Sequence, residues 1–101
     1  MSKYSNCVRF IVKEGKNKAL VDLYQNSGFV YDGMERQFII QTGEREYVGV
    51  GIWDSQEALV NNRSKLIQFL DTLRHLLEEI SPELGVTDPR SGHIIWEEIS
   101  N

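Results

Sequence analysis

Several residue types that mark particular classes of protein are scarce in this chain of 101 residues. There is one cysteine, Cys7, so an internal disulfide is excluded and a reducing compartment, the cytoplasm, is expected. The two histidines show no ligand spacing, and therefore no metal site is predicted. The first apolar run, Val8–Val12, is much too short to cross a membrane.

Basic charge is also scarce and scattered. The chain has eleven lysines and arginines and fifteen acidic residues, which gives a formal net charge of -4. No stripe of basic residues could follow a phosphate backbone, so nucleic-acid binding is not expected. Gly49 and Gly51 lie inside a predicted strand and do not open a helix, so they are not a phosphate loop.

What the chain does contain is a set of strand candidates with apolar side chains on both faces. They are Cys7–Lys13, Gln37–Gln41 and Tyr47–Trp53. In the third, Val48 and Ile52 oppose Tyr47 and Trp53. A sheet with one wet face alternates apolar and polar residues. Both faces of this sheet are therefore expected to need cover.

Two segments have the pattern of helices. Lys16–Ser27 carries apolar residues at helical spacing. The second helix follows Asp54, an N-cap signal supported by Glu57 three residues on. Its leucine stripe extends toward Ile80. Helix propensity is poor near residues 61–64, so the helix is either continuous or interrupted there.

Four strands and two helices make an α+β fold. The strands after the first are predicted near Met34–Thr42, Glu46–Trp53 and His93–Glu98, with Asp88–Gly92 as a loop. The length fits one domain, assigned to residues 7–101 after a flexible N-terminus at residues 1–6. The order β-α-β-β-α-β is the ferredoxin-like arrangement.

Right-handed crossovers place both helices on one face of a four-stranded antiparallel sheet. The bare face would expose a large apolar patch, which soluble monomers avoid. A homodimer formed through that open face is therefore the expected assembly.

The segment Gly49–Leu59 resembles the strand-to-helix junction of the antibiotic biosynthesis monooxygenase-like family. Trp53 ends the strand, a short polar cap follows, and Glu57-Ala58 opens the helix. The resemblance covers nearly the whole chain in element order. It implies a dimeric α+β barrel with a pocket in each subunit between sheet and helices. The family includes cofactor-independent oxygenases acting on polycyclic aromatic substrates, and haem-degrading enzymes.

Haem degradation is disfavoured. That branch of the family needs an axial histidine on the second helix, and His75 is the only candidate there. At about 100° per residue, His75 lies opposite the leucine stripe and should face water. No cofactor is therefore expected.

Asn62 and Trp53 are the first two candidate substrate-binding residues. Asn62 falls inside the apolar stripe of the second helix, and a buried amide must be hydrogen-bonded. It either donates to a substrate carbonyl or sits at a helix irregularity that turns it outward. Trp53 is either a stacking wall for a planar ligand or a core residue.

Tyr24 and Arg36 are the other two candidates. The Tyr24 hydroxyl could reach a ligand, although a hydroxyl at the surface is the commoner outcome. Arg36 shares strand parity with apolar residues, so its charge needs a partner. That partner is either an anionic group or, in a dimer, Glu97 or Glu98. The missing side chains of Gly49 and Gly51 would leave room for a partner sheet or a ligand.

The resemblance favours a cofactor-independent monooxygenase-like protein acting on a small aromatic or quinol-like molecule. No general base can be identified from spacing, which counts against catalysis and leaves the enzymatic assignment open. The alternative is a non-enzymatic small-molecule-binding or structural dimer of the same fold. No catalytic residue is assigned, and neither nucleic acid nor a membrane is an expected partner.

Overall fold

The computed structural model describes residues 2–100, and within them the fold is a four-stranded antiparallel sheet with helices on one face. The sheet order is β2-β3-β1-β4. The elements are β1 (Tyr4–Ile11), α1 (Asn17–Gln25), β2 (Met34–Gln41), β3 (Glu46–Trp53), α2 (Gln56–Asn61), α3 (Arg63–Leu73), a 3-10 turn (Arg74–Leu76) and β4 (Asp88–His93). The predicted ferredoxin-like α+β class is confirmed. Among the described residues, no helix combines the length and the apolar character needed to cross a bilayer.

The helix-covered face of the sheet holds the hydrophobic core. Every second residue of β3 is buried, from Tyr47 to Trp53, because these positions point toward the helices. The main cluster joins Phe10 of β1 to Leu20 of α1 and Leu73 of α3. A smaller cluster surrounds Trp53 at the other end of the sheet.

The opposite face of the sheet, here called the open face, is also apolar. Phe38 is 36% exposed and Ile40 is 44% exposed on β2. Val48 and Val50 lie beside them on β3 and are half-buried, with Ile52 completing the same row. The prediction that strands carry apolar side chains on both faces is therefore confirmed.

The first strand begins earlier in the chain than the predicted Cys7. The predicted flexible segment was 1–6, but β1 begins at Tyr4 and pairs with Trp53 of β3 and with His93 of β4. Ser5 and Asn6 are polar, so the sequence pattern does not indicate a strand there, although each residue pairs with a neighbouring strand. Met1, and Asn101 at the end of the predicted domain, lie outside the described residues.

The last strand is also placed differently. The strand predicted at His93–Glu98 is β4 at Asp88–His93, which occupies the segment predicted as a loop. Pro89 is tolerated because β4 is an edge strand, where a missing N–H costs no ladder hydrogen bond. Trp96 follows β4 and is 75% exposed, so it is not part of the core of one chain.

The second predicted helix is divided. Asn62 ends α2 and begins α3, and the helical path stops at Leu76 rather than Ile80. The stop follows from sheet contacts, since Leu77 makes an isolated β-bridge to Val12. The N-cap is Ser55, not Asp54, because the Ser55 hydroxyl accepts a hydrogen bond from the Ala58 amide at 3.1 Å.

The Asp54 carboxyl points elsewhere. A hydrogen bond to Glu35 raises the pKa of Asp54, and Lys3 on the far side lowers the pKa of Glu35. The Lys3 and Glu35 side chains are 38% and 36% exposed, so this cluster belongs to the surface.

Candidate functional site

A cavity of about 220 Å³ lies between the helix-covered face of the sheet and α3. Its wall is mostly apolar, and half of the lining residues come from β1 and α3. The apolar residues among these are Val8, Phe10, Leu66, Ile67, Phe69, Leu70 and Leu73. The cavity therefore suits a ligand with a large apolar surface.

Two glycines of β3 create this space. A Cβ at Gly49 would lie 3.3 Å from the Tyr24 hydroxyl oxygen. A Cβ at Gly51 would lie 2.5 Å from Asn6 Oδ1 and 3.0 Å from Trp53 Nε1. Both glycines are buried on the helix-covered face. The room that the sequence predicted at these glycines is therefore inside the subunit, and polar atoms surround it.

Asn6 supplies one polar group to the cavity. Its Oδ1 accepts a hydrogen bond of 2.6 Å from the indole Nε1 of Trp53. The indole N–H can only donate, so the Asn6 oxygen must face it and the Asn6 NH₂ group must face away. Among residues 2–100 no acceptor is bonded to that NH₂ group, which leaves it available to a ligand.

Tyr24 supplies a second polar group. Its ring packs edge-on against Phe69, with 4.8 Å between the centroids. Burial raises the pKa of Tyr24 to about 12, with a smaller contribution from Tyr31. The hydroxyl is therefore neutral at physiological pH. It has no hydrogen-bond partner in the part of the chain that the structure describes, and it can donate to a ligand.

Few other polar or charged side chains surround the cavity. Gln37 of β2, which is polar, and Arg63 at the start of α3, which is charged, also line it. Across residues 2–100, no aspartate, glutamate or histidine is part of its wall. The described residues also contain no group of three potential metal ligands. The arrangement can donate hydrogen bonds and place a positive charge near a bound anion, but it offers no carboxylate or imidazole base.

Trp53 does not line the cavity directly. It is 0% exposed and packs edge-on against Tyr31 in the smaller core cluster. Its contact with the site is the hydrogen bond that orients Asn6. A stacking role for Trp53 stays a prediction, and the geometry gives it a positioning role.

Asn62 lies outside the cavity. It is 5% exposed, and its Nδ2 donates to the backbone oxygens of Asp32 and Ala58, both at 2.8 Å. It borders an open polar depression between the residues near Asp32 and α2. Both hydrogens of its amide are thus used within the protein. Donation from Asn62 to a substrate stays a prediction.

Arg36 lies on the open face, away from the cavity. Its guanidinium carbon is 5.1 Å from the centre of the Phe38 ring, a cation–π contact. Within residues 2–100 it has no ion-pair partner. Of the four candidates, the structure brings only Tyr24 to the cavity wall, while Trp53 reaches it through Asn6.

Asn6 is the site residue that the sequence interpretation missed. Asn6 ends the polar run 1–6, and that run predicts a flexible segment rather than one face of a strand. The signal was present, since Tyr4, Asn6, Val8 and Phe10 alternate along one face of β1.

Comparison with solved structures identifies relatives in fold. A protein of Chloroflexus aurantiacus, provisionally described as an antibiotic biosynthesis monooxygenase, superposes with a TM-score of 0.73 at 14% identity, covering 96% of this chain and 97% of that one. SnoaB of Streptomyces nogalater, described as a cofactor-independent oxygenase, gives 0.73 at 13% identity over 96% and 97%.

A protein from an uncultured marine organism, described as dimeric and ferredoxin-like, gives a TM-score of 0.72 at 13% identity over 100% and 95%. No family model and no curated protein matches the sequence. The structural neighbours of this chain thus include monooxygenase-like proteins, and at these identities the likeness shows the fold.

Proposed function

We propose that this protein is a cofactor-independent, monooxygenase-like enzyme acting on a small phenol or quinol-like aromatic. The observation that supports this most is the apolar cavity whose polar lining includes the Asn6 amide and the Tyr24 hydroxyl. Its volume of about 220 Å³ is below the roughly 300–1,000 Å³ of pockets for drug-sized ligands. A molecule of one or two rings is therefore the best fit.

The proposed reaction needs no group beyond substrate and oxygen. A phenol with a free para C–H loses its hydroxyl proton, and the electron-rich anion reduces O₂. One oxygen atom becomes the new carbonyl of a quinone, and the other leaves in water. One equivalent of O₂ is consumed for each quinone formed. The apolar wall excludes bulk water from the anion during this step.

The residues of the cavity would favour the anion without a base. Asn6 and Tyr24 can each donate a hydrogen bond to a phenolate oxygen, and Arg63 brings a positive charge to the wall. Donors and a cation fixed in an apolar site stabilise negative charge more than they do in water. The phenol would then lose its proton to solvent at a lower pH than it does free.

Oxygen uptake tests the proposal. The purified protein, treated with a chelator, is mixed with phenols and naphthols of one and two rings, including 1,5-dihydroxynaphthalene, under isotopically labelled oxygen gas. The expected product is a quinone with one labelled oxygen atom, formed faster than the spontaneous rate. Tyr24→Phe should lower kcat/KM about tenfold, as expected for one lost hydrogen bond in an apolar site.

Tyr47→Phe is the matched control for the loss of a tyrosine hydroxyl. The Tyr47 hydroxyl accepts a hydrogen bond from Asn17 at 2.7 Å and does not line the cavity. The control should lose stability and keep its rate. Uptake at the spontaneous rate for every substrate would contradict the enzymatic proposal.

The missing base supports a second candidate, a non-enzymatic binder of the same class of aromatic. This reading predicts saturable binding of the naphthols, weakened by Tyr24→Phe, with no oxygen uptake. Fluorescence titration and oxygen uptake on the same samples therefore separate the two functions.

The proposal includes a homodimer formed through the open face, in the cytoplasm. The accessible surface of 6834 Å² exceeds the roughly 5,900 Å² typical of a monomer of 11.7 kDa. The excess is close to the roughly 800 Å² that each partner buries in a standard interface. Cys7 lies on the open face as a free thiol, which suits a reducing compartment.

A further inference from the structure

The cavity between the sheet and α3 has a buried end and an exposed end. Phe10 and Phe69 are buried at the first, where the ring of Tyr24 packs against Phe69. Gln37 and Arg63 also line the cavity, and both are exposed. Arg63 precedes Phe69 by six residues on α3, which is about 9 Å along the helix axis. A ligand in the cavity therefore meets Tyr24 and Arg63 at different ends.

The floor of the exposed end is a gap between two side-chain amides. Gln37 of β2 pairs with Gly51 of β3, and Gly51 pairs with Asn6 of β1. These three residues form one row across the helix-covered face, and the middle one has no side chain. The Cα atoms of Gln37 and Asn6 are thus about 10 Å apart, which is two strand spacings. A flat group can lie over Gly51 between the two amides.

The polar groups of this wall select for acceptors and for negative charge. Asn6, Gln37 and Tyr24 can each donate a hydrogen bond. Arg63 carries the one positive charge among the lining residues that the structure describes. Within residues 2–100 its guanidinium has no carboxylate at ion-pair distance. A guanidinium binds a carboxylate through two parallel N–H···O bonds, so a carboxylate is the ligand group that suits Arg63 best.

We infer that the ligand of this cavity is a hydroxyaryl carboxylic acid, with its carboxylate at Arg63 and its phenolic hydroxyl at Tyr24. This inference rests on the proposed function, since it takes the same cavity and the same phenol. It names the substrate class more closely. It does not depend on the oxygenase reaction, because a non-enzymatic binder would use the same contacts.

The cost of desolvation determines this orientation. An ionised carboxylate and a guanidinium are both costly to bury, so their pair belongs at the exposed end. A phenol is neutral and can be buried beside the Tyr24 hydroxyl, which satisfies its hydrogen bond. The reverse orientation would place the carboxylate among Phe10, Phe69 and Leu73 with no cation beside it.

The separation of Tyr24 and Arg63 also limits where the two substituents can lie. A hydroxyl and a carboxylate on neighbouring ring carbons cannot reach both ends of the cavity. In 5-hydroxy-1-naphthoate the two groups are on different rings and point in opposite directions. In 1-hydroxy-2-naphthoate they are adjacent, and 1-naphthol has the hydroxyl alone. These three compounds therefore separate the effect of the charge from the effect of its position.

Fluorescence titration of the full chain under nitrogen tests the inference. At about pH 6 the carboxylate is ionised and the phenol is neutral. The protein should bind 5-hydroxy-1-naphthoate about tenfold more tightly than either of the other two compounds, as expected for one charge-assisted pair. Arg63→Gln should remove this preference and leave the affinity for 1-naphthol unchanged. Arg63→Lys keeps the charge without the paired donors and should retain part of the preference.

Lys65→Gln is the matched control, because it removes the same charge from the same helix. The Lys65 Nζ donates to the Val30 carbonyl at 3.1 Å, and Lys65 does not line the cavity. The preference should therefore persist. If Lys65→Gln reduces it as much as Arg63→Gln does, the effect is one of overall charge and the assigned site is wrong.

Two further results would overturn the carboxylate site. One is equal affinity for the three compounds, and the other is equal weakening of all three by Arg63→Gln, which would give Arg63 a structural role. Oxygen uptake judges the proposed reaction separately. Selective binding without uptake would leave this inference standing and contradict the oxygenase, whereas uptake without selectivity would do the reverse.

Discussion

One hydrogen bond determines which end of an amide faces the candidate site. Trp53 donates to Asn6 at 2.6 Å, and because indole cannot accept, the Asn6 NH₂ group is directed away from it. Gly51 makes this bond sterically feasible, since a Cβ at Gly51 would meet both partners. The polar character of the cavity thus depends on a residue with no side chain.

Gly51→Ala tests that dependence. The new Cβ would lie 2.5 Å from Asn6 Oδ1, so the pair must separate. We expect a loss of about 2 kcal/mol in unfolding free energy, from overpacking and a strained hydrogen bond. Urea unfolding measures it, and ligand titration should show weaker binding.

Gly92→Ala is the matched control on β4, because its Cβ would meet nothing within 4 Å. It should be neutral or slightly stabilising. Equal stabilities for the two variants would contradict the steric account of Gly51.

The pH dependence of Tyr24 is the second test at this scale. Burial raises the pKa of its hydroxyl from 10.0 to about 12, so the folded protein favours the neutral form. The stability gained from this preference is complete below pH 10 and is lost as pH rises through about 12. Difference absorbance against Tyr24→Phe should show tyrosinate forming near pH 12. Ionisation near pH 10 would show that the hydroxyl is solvated.

Among the elements, those with strong periodicity could be predicted from sequence. β3 has the predicted bounds Glu46–Trp53, because its β-branched residues and its alternating buried positions both indicate a strand. α1 is shorter than predicted by a residue or two at each end, which is ordinary fraying. The two glycines of β3 already indicated where space would be found.

The elements that were mispredicted depend on tertiary context. The turn chemistry of Asp88–Gly92 competes with its position at a sheet edge, and the edge position prevails. Likewise, Asn6 has the local pattern of a polar tail, and only its pairing with Gly51 places it in a strand. Local pattern could not reveal either, because both depend on which strand lies alongside.

The junction between α2 and α3 depends on Asn62. Asn62→Ala would remove its hydrogen bonds to the Asp32 and Ala58 carbonyls. We expect a loss of about 2 kcal/mol in unfolding free energy with ligand affinity unchanged. Asn61→Ala, at an exposed neighbouring position, should cost far less. If affinity falls and stability does not, Asn62 contacts the ligand, as the sequence interpretation suggested.

For the whole molecule, the sheet has two apolar faces and the helices cover only one. The Cα radius of gyration is 14.0 Å, against about 12.7 Å for a compact domain of this length. The exposed apolar residues Ile95, Trp96 and Ile99 after β4 and the uncovered sheet face both fit a chain whose fold is completed by a second copy.

Phe38→Glu tests this at the centre of the open face. Burying a carboxylate between two sheets has a desolvation cost of several kcal/mol that pairing with the neighbouring Arg36 does not fully offset, so the variant should be monomeric. Val60→Glu replaces an apolar residue on α2 that is 46% exposed and should leave the assembly unchanged. Sedimentation velocity compares the two, and dissociation of both variants alike would point to a general effect of added charge.

Sedimentation equilibrium of the unmodified protein is the most direct measurement of the central claim, that a second copy covers the open face. The account predicts a species of twice the 11.7 kDa chain mass, dissociating only on strong dilution. A single species of 11.7 kDa at every concentration would contradict it.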